Sequence, residues 1–83
     1  MGLTPRMRVI RLPEKLRAIR DRLNLSQGGM LELLDFVELT DRSVISGYER
    51  GEREPPLPVL LRYARILELT VDFLIDDDLD LPL

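Results

Sequence analysis

Apolar residues recur along this chain at helical intervals, and nowhere do they alternate with polar ones as a half-buried strand requires. Leu16, Ile19 and Leu23 stand at i, i+3 and i+7 and define the buried stripe of a first helix. Pro13 suits the opening position of that helix, where a missing N–H costs nothing. Asn24-Leu25-Ser26 interrupts the pattern, and Ser26 is placed to cap a second helix running through Met30, Leu33 and Leu34. Asp35-Phe36-Val37-Glu38-Leu39-Thr40 mixes apolar residues with acids and contains neither Gly nor Pro, so it reads either as one more helical turn or as an apolar loop. Asp41 caps a third, short helix with Val44 or Ile45 and Tyr48 inward, and Gly51 is a natural left-handed terminator for it. Glu54 precedes two prolines and is therefore extended. Leu57, Leu60, Leu61, Ala64 and Leu67 line a fourth helix, and Thr70 caps a fifth with Val71 and Leu74 inward. The expectation is an all-α protein: a five-helix bundle joined by short turns.

Length limits what such a bundle can do. With 83 residues the chain makes one small domain, and a large internal cleft is not expected. It has no Cys and no His, which removes disulfides, thiolate nucleophiles, imidazole bases and nearly every zinc or haem site. No segment has the length of a membrane span or the apolar core of a secretory signal, so the sequence reads as cytoplasmic, without membrane contact.

The formal charge is −3, which on its face argues against a nucleic-acid partner. The charge is divided, however: residues 1–22 hold seven basic and two acidic side chains, a net of +5, and the remaining 61 residues sum to −8. Fields act locally, so a basic end can meet DNA on an acidic protein. This divides the chain into a basic N-terminal arm over residues 1–12, a helical body over 13–75 and an acidic tail over 76–83. The tail, with Asp76, Asp77, Asp78 and Asp80, reads either as a solvated end or as a competitor with DNA for the basic end.

Catalytic chemistry is not supported by any motif. Gly28-Gly29 is no phosphate loop, the carboxylate clusters lack the spacing of a calcium loop, and Ser43 and Ser46 have no base to activate them. No metal, cofactor or enzymatic activity is expected.

Three pieces in fixed order carry a more specific signal: Leu25-Ser26-Gln27, then Val44-Ile45-Ser46-Gly47-Tyr48-Glu49-Arg50-Gly51, then Arg53-Glu54-Pro55 followed by Leu57, Leu60, Leu61, Ala64, Leu67, Val71 and Leu74. In these the chain resembles the Cro/C1-type (XRE-like) helix-turn-helix family over residues 13–75. The resemblance implies a lambda-repressor-like DNA-binding bundle whose third helix enters the major groove by its N-terminal residues.

What the resemblance implies can be stated residue by residue. Arg42 and Ser43 would read bases, Arg42 as a bidentate donor to guanine. Gln27, Thr40, Arg50 and Arg53 would hold phosphates, Ser46 would touch phosphate or water, and Gly47 would permit close approach to DNA. Plainer readings stand beside these: an exposed Gln27, a solvated Arg42, and surface ion pairs for Arg50 and Arg53. Arg20 and Glu49 match a partly buried ion pair. Relative to the family pattern, about four extra residues lie between Gln27 and Arg42. Such an insertion either lengthens the second helix by a turn or enlarges the loop. Gly28 and Gly29 replace the usual acidic and apolar residues, and Leu31 replaces a small one.

The implied function is sequence-specific transcriptional regulation, repressor-like, with double-stranded DNA as partner. A homodimer on a near-palindromic operator would assemble through Leu69, Phe73, Ile75, Leu79 and Leu81 unless these complete the monomer core. The alternative is a protein-interaction module of antitoxin or anti-activator type with little DNA affinity, using Phe36, Val37 and Leu39 or the C-terminal leucines.

Overall fold

A computed structural model describes residues 9–36 and 41–83; Thr40, Val37, Leu39, Arg6 and Arg8 lie outside them. Five helices follow one another: α1 Leu12–Arg22, α2 Gln27–Leu34, α3 Arg42–Glu49, α4 Leu57–Ile66 and α5 Asp72–Ile75. There is no strand among the described residues, and the class expected from periodicity is the class adopted.

Two side chains start helices as their chemistry dictates. The Ser26 hydroxyl accepts the Gly29 N–H at 3.0 Å, and the Asp41 carboxylate accepts the Ser43 N–H at 2.8 Å. Each such cap typically contributes about 1 kcal/mol. Three helices end in the same two-bond closure, in which the next two N–H groups fold back onto carbonyls of the last turn. After α1 these bonds run from Asn24 to Asp21 and from Leu25 to Arg20; after α3, from Gly51 to Tyr48 and from Glu52 to Gly47; after α4, from Glu68 to Arg65 and from Leu69 to Ala64. The pivots are left-handed, with φ of 58° at Asn24, 74° at Gly51 and 56° at Glu68. Asn and Gly tolerate that region; Glu pays for it.

α2 stops at Leu34, where Asp35 turns left-handed at φ 53°. The extra residues of the helix-turn-helix pattern therefore lie in the connection between α2 and α3 and do not lengthen α2.

The core is built from Leu12, Leu16 and Ile19 of α1, Met30 and Leu34 of α2, Ile45 and Tyr48 of α3, Val59, Leu60, Tyr63 and Ala64 of α4, and Leu74 of α5. Several expectations are corrected here. Leu33, Leu57 and Leu61 are exposed. In α4 the buried rows are Val59/Tyr63 and Leu60/Ala64, which sets the helix rotated away from the expected Leu57/Leu61 row. Thr70 does not cap α5, whose N-cap is Val71 without a side-chain bond. Leu69 and Leu81 pack against the core, so they complete the monomer.

The two ends of the described chain are joined. α1 begins at Leu12 with Pro13 second, one residue inside the segment assigned to the arm. The N–H groups of the two residues just ahead of it, Ile10 and Arg11, both donate to the Asp77 carboxylate at 2.9 Å. The Arg11 guanidinium donates to the Asp77 carbonyl at 2.9 Å and to the Asp80 carboxylate at 2.6 Å. Buried Lys15 donates to the carbonyls of Phe73 at 2.9 Å and Asp76 at 2.8 Å, closing the end of α5. Asp77 and Asp80 thus bind the root of the basic arm, while Asp76, Asp78 and Asp80 stay exposed to solvent.

Candidate nucleic-acid interface

α3 is oriented by one ion pair. The Arg20 guanidinium of α1 donates from Nε to Glu49 Oε2 at 2.7 Å and from Nη2 to Oε1 at 3.0 Å, and from Nη1 to the Leu25 carbonyl at 2.9 Å. The side chains are only 14% and 5% exposed. The hydrogen bonds to Glu49 raise the Arg20 pKa above its ordinary value. Tyr63 lies close enough for its ionisation to feel Glu49 and Tyr48, and its own pKa is pushed far up, chiefly by burial. With Ile45, Tyr48 and Glu49 turned inward, α3 presents the arc of Arg42, Ser43, Ser46 and Arg50 outward.

The starts of α2 and α3 border one open depression of about 630 Å³, lined by Ser26, Gly28, Gly29, Leu31, Glu32, Asp41 and Arg42. Two helix N-termini therefore face one place, and each carries the positive end of a helix dipole. Among the described residues, Gly28 has only the Ser26 hydroxyl near its missing side chain, at 3.8 Å. Arg42 is exposed at the rim, and Ser43 beside it in the chain is exposed as well. Its lining sets the Glu32 and Asp41 carboxylates beside the Arg42 side chain, and the Gly29 and Ser43 N–H groups are taken up by the Ser26 and Asp41 caps.

The remaining candidates divide. Gln27 turns its amide inward and donates from Nε2 to Glu49 Oε1 at 3.3 Å, so its side chain supports the ion pair. Ser46 is half-buried on the outer arc. Arg50 is exposed but paired with Glu52 at 3.0 Å, the plain surface reading. Gly47 is buried and not open for DNA to approach; the side chain of Arg53 lies over it. Arg53 is itself exposed, and its charge is close enough to Tyr48 to lower that group's pKa, against a larger rise from burial.

Two capped helices joined by a connection, the second clamped by its inner face and open along its outer one, form a helix-turn-helix. A family model described as helix-turn-helix matches residues 16–74. That span covers well over half of the chain. This protein belongs to the Cro/C1-type helix-turn-helix family. No curated protein and no solved structure gives a significant match.

Helix-turn-helix membership makes it a DNA-binding regulatory domain. No described helix is long and apolar enough to cross a membrane. Sequence reasoning missed the inward turn of Gln27, because its partner Glu49 is 22 residues away. It also missed the seat that Gly47 offers Arg53, which depends on how the turn after α3 folds back.

Proposed function

We propose that this domain is a sequence-specific, repressor-like DNA-binding regulator that acts as a homodimer on a near-palindromic operator. The observation that carries the reading is the presentation of Arg42 and Ser43, exposed at the start of a helix whose inner face is fixed by Ile45, Tyr48 and the Arg20–Glu49 pair. Arg42 and Ser43 contact bases; the start of α2 with Gln27, and Thr40, Ser46, Arg50 and Arg53, fix register on phosphates. A single short helix reads few base pairs, so two copies are needed for useful specificity. An apolar groove of about 490 Å³, lined among others by Ile10, Leu57, Leu60 and Ile75, supports self-association. It is bordered by Gly51 and Arg53, close to the end of α3.

Two measurements test the reading. Binding to a random-sequence duplex pool falls linearly in log affinity with log salt, with a slope showing several neutralised phosphates. Arg42→Ala relaxes base preference at one position per half-site, with the melting temperature little changed; a large loss of stability instead makes Arg42 structural. Absence of binding at low salt at every protein concentration short of precipitation removes the DNA reading. It would leave the same exposed groove as the binding surface of a protein-interaction module.

A further inference from the structure

Gly47 sits one turn after Ser43, in the same row of α3, where the outer arc meets the flank. A side chain there would project beside the base-reading residues, yet the position is buried. What covers it is Arg53. A methyl group placed on Gly47 would stand 3.1 Å from Arg53 Cδ, 3.2 Å from Cγ and 3.5 Å from Nε. The first two distances are tighter than ordinary packing, so the Arg53 stem lies where a residue-47 side chain would begin.

The arrangement follows from the end of α3. The N–H groups of Glu52 and Arg53 both donate to the Gly47 carbonyl, at 2.9 and 3.2 Å, which folds the chain after Gly51 back along the helix. Arg53 then runs across Gly47 with its methylenes packed and the residue as a whole still exposed. Unlike Arg50, it makes no ion pair with a described residue. An Arg stem packed on the backbone with its guanidinium in solvent is pre-organised, and less side-chain entropy is lost when it binds.

We infer that Gly47 is the positioning residue that seats Arg53 over the recognition helix, so that the phosphate contact proposed for Arg53 stands in for the side chain that position 47 lacks. This rests on the DNA-binding reading and deepens it. The contact is with the phosphate at the groove wall, because the C-terminal half of a recognition helix leads away from the bases its first residues read. Arg53 therefore adds affinity without sequence preference.

The experiment compares the full chain with Arg53→Ala, Gly47→Ala and the double variant, on a random-sequence duplex pool over 50–200 mM salt, with a melting curve for each. Losing one phosphate contact lowers the salt slope by about 0.9, so the ratio of wild-type to Arg53→Ala affinity shrinks about 3.5-fold across that range. Gly47→Ala is expected to shift the slope in the same direction by displacing Arg53. Its melting temperature is expected to hold or rise, since Ala is the better helix former and the exposed Arg53 can be displaced into solvent. The double variant should bind no worse than Arg53→Ala alone, because both changes remove the same contact. An unchanged slope in Gly47→Ala beside a lowered one in Arg53→Ala overturns the positioning role, and so does a marked fall in the Gly47→Ala melting temperature. An unchanged slope in Arg53→Ala overturns the phosphate contact while leaving the DNA reading intact. If the wild type binds no DNA, that reading and this inference fall together.

Discussion

The Arg20–Glu49 pair fixes α3 against α1, and its cost can be worked from its surroundings. Replacing Glu49 with Ala removes two acceptors from a guanidinium that is 14% exposed and leaves it only the Leu25 carbonyl. Breaking a buried ion pair from one side costs about 3–5 kcal/mol. The lower end applies here, since Arg20 keeps one hydrogen bond and some water contact, so we expect about 3 kcal/mol. For a domain of this size that corresponds to a fall in Tm of roughly 12–24 °C. Removing both charges together, as in Arg20→Met with Glu49→Leu, leaves no uncompensated ion and is expected to come within about 1 kcal/mol of the wild type. Urea unfolding followed by circular dichroism at 25 °C gives all four corners of the cycle, with m-values checking that the denatured state is unchanged. A Glu49→Ala loss below about 1 kcal/mol would refute the reasoning, as it would mean that the pair behaves as a surface contact. A double variant as damaged as the sum of the singles would do so as well, by showing that the charges do not act as a unit.

Three further outcomes follow from single groups. The Tyr63 hydroxyl is buried with no hydrogen-bond partner among the described residues, so Tyr63→Phe is expected to raise stability by about 1 kcal/mol in the same urea assay. Glu68 is exposed and held at φ 56°, and Glu68→Gly should relieve that strain, with a gain of about 0.5–1 kcal/mol after the extra freedom of glycine in the unfolded chain is deducted. Asp77 accepts the N–H groups of Arg11 and Ile10, which hold its pKa below the ordinary 3.8. The stability it lends is therefore present above that unfolded value and is lost as the pH falls through the lower folded one. Acid titration of Asp77→Asn should show a flatter pH dependence below 3.8 than the wild type; equal curves would exclude Asp77 as a source of acid sensitivity.

What the sequence revealed and what it hid divide along the reach of each interaction. Ser26, Asp41 and Gly51 act within three residues of themselves, so their roles follow from side-chain chemistry and local spacing. Arg20 and Glu49 are 29 apart, and only the family resemblance paired them. In α4 the stripe was ambiguous because Leu57, Val59, Leu60, Leu61 and Tyr63 permit two faces. Packing chose the one that buries Tyr63 and Leu60. Glu68 gave no signal, because its left-handed turn is imposed by Leu69 packing against the core rather than by any preference of Glu. Gly47 gave a misleading one, because a glycine on an outward row suggests room for an external neighbour when the neighbour is internal.

The clasp between Arg11 and the acidic segment spans 66 to 69 residues, and it changes what the charge division means. Along the sequence the basic end carries +5 and stands apart from the acids. In the fold the Arg11 guanidinium is already held by Asp80, Glu14 and backbone carbonyls, so it adds little to the field that DNA meets. The arm's contribution to phosphate attraction then rests on Arg6 and Arg8. Deleting residues 1–11 would confuse two effects, since it also removes the N–H groups of Ile10 and Arg11 that tie α1 to Asp77. Deleting residues 1–8 keeps those two N–H groups, and the salt slope should fall by the charges of Arg6 and Arg8. A slope unchanged by that deletion would take the arm out of the DNA interface altogether. The starts of α2 and α3, the outer arc of α3 and the seated Arg53 would then carry it alone.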